Sequence, residues 1–206
     1  MQYWEKMWDE RFVQPGYFYG SEPNDFLKEN VKIFKPGGRI LCLAEGEGRN
    51  AVYLAQLGFL VTAVDGSQAG MEKMHALAKE RGVNVNGVVS DLADFDFGQS
   101  VWDGIVSIWC HLPKPLLSRV MASCVEALTP GGSILIEAYS PQQLKYTTGG
   151  PRTVELLNTL MEFKSGLQSL KEVYGVEIER EIFEGRGHTG LSAVVQYIAK
   201  RTQQEI

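Results

Sequence analysis

The stretch from Ile40 to Leu57 reads ILCLAEGEGRNAVYLAQL and combines two hydrophobic patterns. Its first four residues form an apolar run that is typical of a buried parallel strand, and the residues from Asn50 onward are typical of a helix. Between the two lie Gly46 and Gly48, whose lack of a side chain lets the backbone pass close to a ligand. Because ligands of open α/β sheets bind at the carboxyl ends of the strands, the pattern predicts a ligand over these two glycines.

The charge of this glycine turn helps to choose between two ligands. The residues from Gly46 to Ala51 satisfy the G-x-G-x-x-G/A pattern of dinucleotide-binding proteins. A dinucleotide would bring a doubly negative pyrophosphate to a turn that already carries Glu45 and Glu47, whereas S-adenosylmethionine (SAM) would bring a sulfonium and an ammonium. Two unit charges about 4 Å apart at an effective dielectric of about 20 interact with roughly 4 kcal/mol before screening. The interaction is unfavourable between the pyrophosphate and these carboxylates and favourable between the carboxylates and the cations of SAM. Charge therefore favours SAM over NAD.

Length and composition predict a single domain that acts on a small molecule. The chain has 206 residues, of which 44% are hydrophobic and 22% charged, and no linker-like tract divides it. We expect one domain over residues 1–206, with residues 1–35 as an N-terminal helical cap or lid. The net charge of −5 comes without a basic stripe, which disfavours nucleic acid and anionic membranes as partners. The sequence also lacks a run of about 18 apolar residues, so the predicted location is cytoplasmic.

The quoted stretch resembles the first motif of the class I SAM-dependent methyltransferases. Together with WDERFVQPGYFYGSEPNDFL before it and EGRGHTGLSAVVQYIAKR near the end, it is similar to the branch related to tellurite-resistance methyltransferases. The resemblance covers nearly the whole chain. Two departures stand out: Cys42 occupies the place of an acidic residue that usually contacts the methionine amino group, and Ala44 occupies the place of a glycine. Glu45 or Glu47 is the expected substitute for the missing acid.

The resemblance implies a Rossmann-like methyltransferase fold of the α/β class. This fold is a doubly wound, mostly parallel seven-stranded sheet with helices on both faces and an antiparallel last strand. The hydrophobic pattern agrees, because five predicted strands alternate with helices and a strand pair follows. We expect helices over Tyr3–Phe12 and Thr153–Tyr174, a third strand over Val83–Val89, and a final hairpin of Val176–Glu184 with Leu191–Ala199.

Asp65 is the predicted ribose ligand. It ends the second predicted strand, nineteen positions after Gly46, and its two carboxylate oxygens suit the vicinal diol of a nucleoside. Asp91 follows the third strand, where the resemblance places adenine, although an Asx-turn would explain it as well. The family closes its aromatic N-terminal loop over the cofactor, and aromatic rings attract a sulfonium. The predicted cofactor-binding residues are Tyr19, Glu45, Gly46, Gly48, Asn50, Asp65, Gly66, Ser67, Asp91, Leu92 and Trp109.

The predicted catalytic residues are His188, Arg186 and His111. The fourth predicted strand ends near His111, at the edge where the methyl group and its acceptor should meet. No second Cys/His pair lies at ligand spacing, so we predict no metal. The glycine-flanked loop that carries Arg186 and His188 could be a plain turn, but the resembling family has a histidine implicated there. An arginine can hold an anionic acceptor, and a neutral histidine can take its proton.

The sequence therefore predicts an enzyme that transfers a methyl group from SAM to a small-molecule acceptor and releases S-adenosylhomocysteine. Acceptors similar to tellurite or selenite, a thiol, a halide or a small metabolite all remain open. An NAD-type oxidoreductase is one alternative, disfavoured by the acidic turn and by the lack of a Tyr-x-x-x-Lys pair. A SAM- or nucleoside-binding protein without methyltransferase activity is the other, suggested by Cys42 and Ala44.

Overall fold

The structure, a computed structural model, describes the backbone of residues 3–203 and the side chains of residues 6–203. Trp4, which the sequence places on the apolar face of the first helix, has its side chain outside this part. The helices are α1 (Tyr3–Phe12), α2 (Asp25–Asn30), α3 (Arg49–Gln56), α4 (Gln68–Glu80), α5 (Lys114–Ala127) and α6 (Leu160–Gly166). The strands are β1 (Arg39–Leu43), β2 (Leu60–Asp65), β3 (Asn86–Val89), β4 (Trp102–Ile108), β5 (Leu128–Tyr139), β6 (Lys171–Glu184) and β7 (His188–Lys200).

The seven strands form one sheet in the order β3-β2-β1-β4-β5-β7-β6. Strands β1 to β5 pair in parallel, β7 pairs antiparallel with β5, and β6 pairs antiparallel with β7. The central strands carry near-continuous apolar runs because helices bury them on both faces. The predicted fold class, including the antiparallel final strand, is confirmed.

Two hydrophobic clusters cover the two faces of the sheet. One face packs against α2, α3 and α4, through residues such as Leu27, Leu54 and Met74, all fully buried. The other face packs against α5 and α6, through residues such as Cys124 and Phe163. The helices on both faces leave the carboxyl edge of the parallel strands as the place where loops converge.

This carboxyl edge gathers residues from all seven strands. The parallel strands β1 to β5 end there, β5 at Tyr139, and β6 ends there at Glu184, opposite His188. Strand β7 runs the opposite way, with Val194 beside Tyr139, so its first residue, His188, lies beyond the end of β5. The antiparallel hairpin thus returns the chain to the edge that carries the glycine turn.

Some predicted boundaries were wrong for local reasons. β3 begins at Asn86 rather than Val83, and the predicted helical region 153–174 contains a 3-10 helix (Val154–Leu156) and α6 before Lys171 already starts β6. A capping box of Thr159 with Glu162 starts α6. In the described part of the chain, none of the helices has the length and apolar character required to cross a bilayer.

Candidate active site

The glycine turn after β1 contains three residues in the left-handed region. Ala44, Gly46 and Gly48 have φ of 48°, 61° and 89°. For Ala44 this conformation is strained, because a Cβ atom disfavours it, and it explains why the resembling family has a glycine there. A Cβ at Gly48 would overlap the side chain of Met74, so this glycine is required for the packing of the turn on α4.

The two acidic residues of the turn are engaged by the protein itself. Glu45 Oε1 accepts the backbone N–H groups of Asn50 (2.9 Å) and Ala51 (2.8 Å) and so caps α3, while burial raises the pKa of Glu45 to about 7 against the effect of these amides. Glu47 is 4% exposed and pairs with Lys73 at 2.8 Å. Both carboxylates thus have partners within the protein, and a contact of either one with the methionine amino group, in place of the acidic residue usual at position 42, stays a prediction.

Asp65 connects the ends of β1 and β2. Its Oδ2 accepts the Gly46 N–H at 2.9 Å and its Oδ1 accepts the Ser67 N–H at 2.8 Å, across Gly66. Burial raises the pKa of Asp65 to about 6, although the two amides oppose the rise. Each carboxylate oxygen keeps a second lone pair, so Asp65 can still accept the hydroxyls of a ribose.

A segment of residues 9–24, here called the N-terminal segment, lies over the glycine turn. Asp9 accepts hydrogen bonds from the Ser67 hydroxyl and from the Ala69 N–H at the start of α4. Phe12 is only 3% exposed, and its ring lies 3.0 Å from the position that a Cβ at Gly46 would take. The side chains of Asp9 and Phe12 therefore occupy the surface on which the sequence predicts the cofactor.

Three further predicted cofactor residues have structural partners. Asn50 Oδ1 accepts the backbone N–H of Asn24 at 2.9 Å, which ties α3 to the N-terminal segment. Asp91 Oδ1 accepts the Ala93 N–H at 2.7 Å, which is the Asx-turn expected as the alternative, and Leu92 lies in the core. Contacts of Asn50, Asp91 and Leu92 with a cofactor stay predictions.

Five rings form an aromatic cluster at the same edge of the sheet. Tyr139 stacks on Trp109 with 4.5 Å between ring centroids and on His111 with 5.6 Å. His188 meets Tyr19 at 4.5 Å and Trp109 at 4.9 Å. Trp109 has φ of 57°, so the chain turns sharply after β4 and points this ring into the cluster. The structure thus brings four predicted site residues, namely Tyr19, Trp109, His111 and His188, around Tyr139.

Glu184, the last residue of β6, is the hub of a buried polar network beside this cluster. Its Oε2 accepts hydrogen bonds from Trp109 Nε1 (2.6 Å) and Arg49 (2.7 Å), and lies 3.5 Å from His188 Nδ1, too far for a good hydrogen bond. The two N–H groups of the Asn24 amide reach Glu184 Oε1 at 2.8 Å and Glu137 Oε2 at 2.6 Å. The network joins the glycine turn, the end of β4, the N-terminal segment and the hairpin.

The charges in this network are set by burial and by ion pairs. Burial opposes the charge of Glu184, but Arg49 and the neighbouring donors outweigh it and hold the pKa of Glu184 well below its usual range. Burial lowers the pKa of His188 despite Glu184, and it lowers the pKa of His111 to about 3. Both histidines are therefore neutral at pH 7, and each keeps one ring nitrogen with a lone pair that can accept a hydrogen bond.

Arg186 lies apart from the cluster. Its side chain is exposed, with the guanidinium over the ring of Phe18 and 3.4 Å from the Pro15 carbonyl. Because β7 begins at His188, the loop contains only residues 185–187, and Arg186 points toward the N-terminal segment. A role of Arg186 in holding an anionic acceptor stays a prediction that these contacts do not support.

Within the described residues, no group of three or more His, Cys, Asp or Glu side chains could hold a metal ion.

Sequence reasoning missed Glu184, Glu137, Asn24 and Asp9. Glu137 had a usable signal, because a carboxylate in the apolar strand ILIEAY is rarely buried without partners. Glu137 is fully buried and pairs with Arg180 at 2.8 Å. Glu184 ends an alternating strand where acidic residues are ordinary, so its role depends on contacts that only the fold creates.

Comparisons with known proteins agree with this architecture. Residues 40–132 match the family described as "Methyltransferase domain". The "Phosphoethanolamine N-methyltransferase 2" of Caenorhabditis elegans is 25% identical over 217 residues, which cover 98% of this chain and 48% of that protein. The chain thus spans about half the length of this curated relative.

Two solved structures share the fold. The structure of "TehB from Haemophilus influenzae" superposes with a TM-score of 0.71 at 19% identity, over 96% of this chain and 67% of that chain. The "1,6-didemethyltoxoflavin-N1-methyltransferase" of Burkholderia thailandensis, solved with S-adenosylhomocysteine, superposes with a TM-score of 0.63 at 20% identity, over 87% of this chain and 76% of that chain. The matched domain, the strand order and the glycine turn agree: residues 40–132 are similar to methyltransferase domains, and the chain shares the fold of these two structures.

Proposed function

We propose that this protein transfers the methyl group of SAM to a small-molecule acceptor and releases S-adenosylhomocysteine. One observation carries the proposal: Asp65 at the end of β2 is hydrogen-bonded to Gly46 in the turn after β1, at 2.9 Å. This contact joins a carboxylate that suits a ribose to a glycine turn that suits the rest of a nucleoside cofactor. The family match over residues 40–132 supports SAM as that cofactor.

The chemistry asks little of the protein beyond alignment. Methyl transfer is an in-line displacement on a carbon that its sulfonium leaving group already activates, so the enzyme must position the acceptor and exclude water. The aromatic cluster offers an enclosed, largely apolar environment, and neutral His188 is a base within it.

A single domain over residues 1–206 with residues 1–35 as a cap, and a cytoplasmic location, also stay predictions.

The first experiment is a calorimetric titration with SAM, S-adenosylhomocysteine and NAD. We expect both sulfur compounds to bind and NAD not to bind. Binding of NAD without SAM would replace the proposal by the oxidoreductase alternative. Release of S-adenosylhomocysteine in the presence of small acceptors then separates an enzyme from a protein that only binds the cofactor.

The substitution Asp65→Asn tests the ribose contact. Because Asp65 also holds the amides of Gly46 and Ser67, asparagine is preferable to alanine: it keeps the size of the side chain and an acceptor oxygen for one of these two amides. Losing a charge-assisted hydrogen bond of about 1.5 to 3 kcal/mol should weaken SAM binding roughly ten- to a hundredfold. The exposed Asp94→Asn is the matched control, and unchanged affinity in a folded Asp65→Asn protein would remove Asp65 from the ribose site.

A further inference from the structure

Four buried side-chain atoms without hydrogen-bond partners belong to Tyr139 and to three residues that contact it. In the part of the chain that the structure describes they are His111 Nε2, Tyr139 Oη, Asn158 Nδ2 and His188 Nδ1. The centroids of the His111 and His188 rings lie 5.6 and 5.3 Å from that of the Tyr139 ring. The backbone N–H of Asn158 donates to the backbone carbonyl of Tyr139 at 2.9 Å. A buried polar group without a partner costs about 1 to 3 kcal/mol, so such a concentration marks a place where a ligand supplies the partners.

The surroundings define what each atom offers to that ligand. His111 Nδ1 lies 3.1 Å from the Leu156 carbonyl, which can only accept, so Nδ1 carries the hydrogen and Nε2 presents a lone pair. Asn158 Oδ1 accepts from Lys114 Nζ at 3.3 Å, which orients the amide and leaves its N–H group free. The Tyr139 hydroxyl can donate and accept. The unpartnered atoms therefore offer one hydrogen-bond acceptor on His111, one donor on Asn158, and the Tyr139 hydroxyl, which can be either.

The side chains that carry the unpartnered atoms of His111, Tyr139 and Asn158 are uncharged. Of the nearby cations, Lys114 is paired with Glu162 at 2.6 Å and Arg49 with Glu184 at 2.7 Å, while Arg11 donates to the Tyr19 hydroxyl at 2.8 Å. Burial raises the pKa of Tyr139 well above its usual value and lowers the pKa of His111 to about 3, so both are uncharged at pH 7. An anion bound to these three groups would exchange its hydration for uncharged partners only, which is unfavourable.

A glycine-rich loop covers the cluster. A Cβ at Gly149 would lie 2.7 Å from the Tyr139 hydroxyl and 2.8 Å from the His188 ring, and a Cβ at Gly150 would lie 2.6 Å from the Tyr139 ring. Tyr139 and Asn158 are fully buried beneath this loop and its neighbours. A ligand that reaches the unpartnered atoms must displace residues 147–151, and the two glycines make that loop easy to rearrange.

We propose that the unpartnered atoms of His111, Tyr139 and Asn158 form the acceptor subsite, and that the acceptor is an uncharged planar molecule of the phenol or aromatic-amine type. This rests on the proposed methyl transfer. Such a molecule both donates and accepts hydrogen bonds and stacks among aromatic rings. Its oxygen or nitrogen attacks the methyl carbon of SAM, the carbon–sulfur bond breaks with its electron pair on sulfur, and the acceptor proton passes to the His188 ring.

The test compares catechol and 4-aminophenol with selenite and tellurite as probes, by the S-adenosylhomocysteine released. We expect turnover of at least one neutral probe to exceed that of both oxyanions by tenfold or more. Faster turnover of an oxyanion overturns the proposal. So does the absence of turnover of both neutral probes in a protein that binds S-adenosylhomocysteine. Failure to bind S-adenosylhomocysteine would instead be a failure of the proposed function.

The variant Tyr139→Phe separates a subsite from a structural role. It removes only a hydroxyl that has no partner, so the fold should be retained with an unchanged or higher melting temperature. We expect the KM of the neutral probe to rise about tenfold or more, with unchanged S-adenosylhomocysteine affinity. Tyr197→Phe, on a buried tyrosine of β7 outside the cluster, is the matched control. An unchanged KM in Tyr139→Phe would show that the hydroxyl does not face the acceptor.

Discussion

At the scale of single residues, Glu184 connects three parts of the candidate site, although the sequence did not predict a role for it. It is 6% exposed, yet it stays charged because Arg49 lies 2.7 Å away and Trp109 and Asn24 donate to it. A buried carboxylate with this many donors is far more favourable than an isolated one, and it orients each donor in turn. We therefore predict that Glu184 positions the Trp109 ring through its hydrogen bond and acts on His188 through its charge, which raises the pKa of that ring.

We predict that Glu184→Gln shifts the acid limb of the pH dependence of kcat/KM to lower pH. Burial, together with Arg49 and Arg11, lowers the pKa of His188, while the negative charge of Glu184 raises it. Removing that charge leaves only the lowering effects. The variant should also lose about 3 kcal/mol of unfolding free energy, because Arg49 loses its partner.

The measurement is the pH profile of kcat/KM for a methylated probe between pH 5 and 8, with circular dichroism to verify folding. The exposed Glu181→Gln on the same strand is the control and should leave the profile unchanged. An acid limb that stays in place in Glu184→Gln would show that His188 does not act as the base.

At the scale of elements, the N-terminal segment is the part that covers the predicted cofactor surface. Glu47 accepts the Phe18 N–H at 2.7 Å, and Lys73 donates to the carbonyls of Gln14 and Gly16 at 2.6 and 2.5 Å. With Phe12 over Gly46, the segment closes the edge of the sheet through a few polar contacts and one ring. If the cofactor binds at the predicted surface, its entry requires these contacts to open, as in enzymes with lids.

We predict that S-adenosylhomocysteine slows limited proteolysis between Pro15 and Ser21. The glycine and aromatic content of this loop indicates a lid, and a bound cofactor would give its rings a second packing surface. The substitution Lys73→Met removes two hydrogen bonds to the N-terminal segment, at Gln14 and Gly16, and one to Glu47, and should speed cleavage in the free protein. Equal cleavage with and without ligand would show that this segment is not a lid.

At the scale of the whole molecule, buried histidines make the stability depend on pH. Folded His111 binds a proton only near pH 3, whereas an unfolded histidine binds one near pH 6.5. Between these values the unfolded state holds more protons, so the free energy of unfolding falls as the pH falls. Asp65 and Glu45, whose pKa values are raised, act in the opposite direction below about pH 7.

We predict that wild-type protein loses about 2 kcal/mol more unfolding free energy than His111→Gln between pH 7 and pH 4.5, since the variant lacks the titrating ring. The effects of Asp65 and Glu45 are common to both proteins and cancel in the comparison. Urea denaturation at each pH measures the difference. The exposed His75→Gln is the control and should follow the wild type, while parallel losses in wild type and His111→Gln would contradict the burial of the His111 ring.

The amino-acid sequence by itself determined the strand, glycine turn and helix of residues 39–56, and the position of Asp65 at the end of the second strand. It also determined the alternation of strands and helices that defines the fold class. These features depend on local periodicity and on short spacings, which a single chain displays directly. Boundaries after residue 150 were less predictable, because β6 alternates weakly and is exposed along much of its length.

Only the tertiary structure decided what surrounds these elements. It pairs Glu184 with Arg49 across 135 positions and bridges Glu137 and Glu184 through Asn24. It also leaves Tyr139 and Asn158 buried with unpartnered atoms. It places Arg186 outside the aromatic cluster, although the sequence predicted a catalytic role for Arg186 beside His188. Such pairings arise because the antiparallel hairpin brings distant residues to one edge of the sheet, and no local pattern records which side chains meet there.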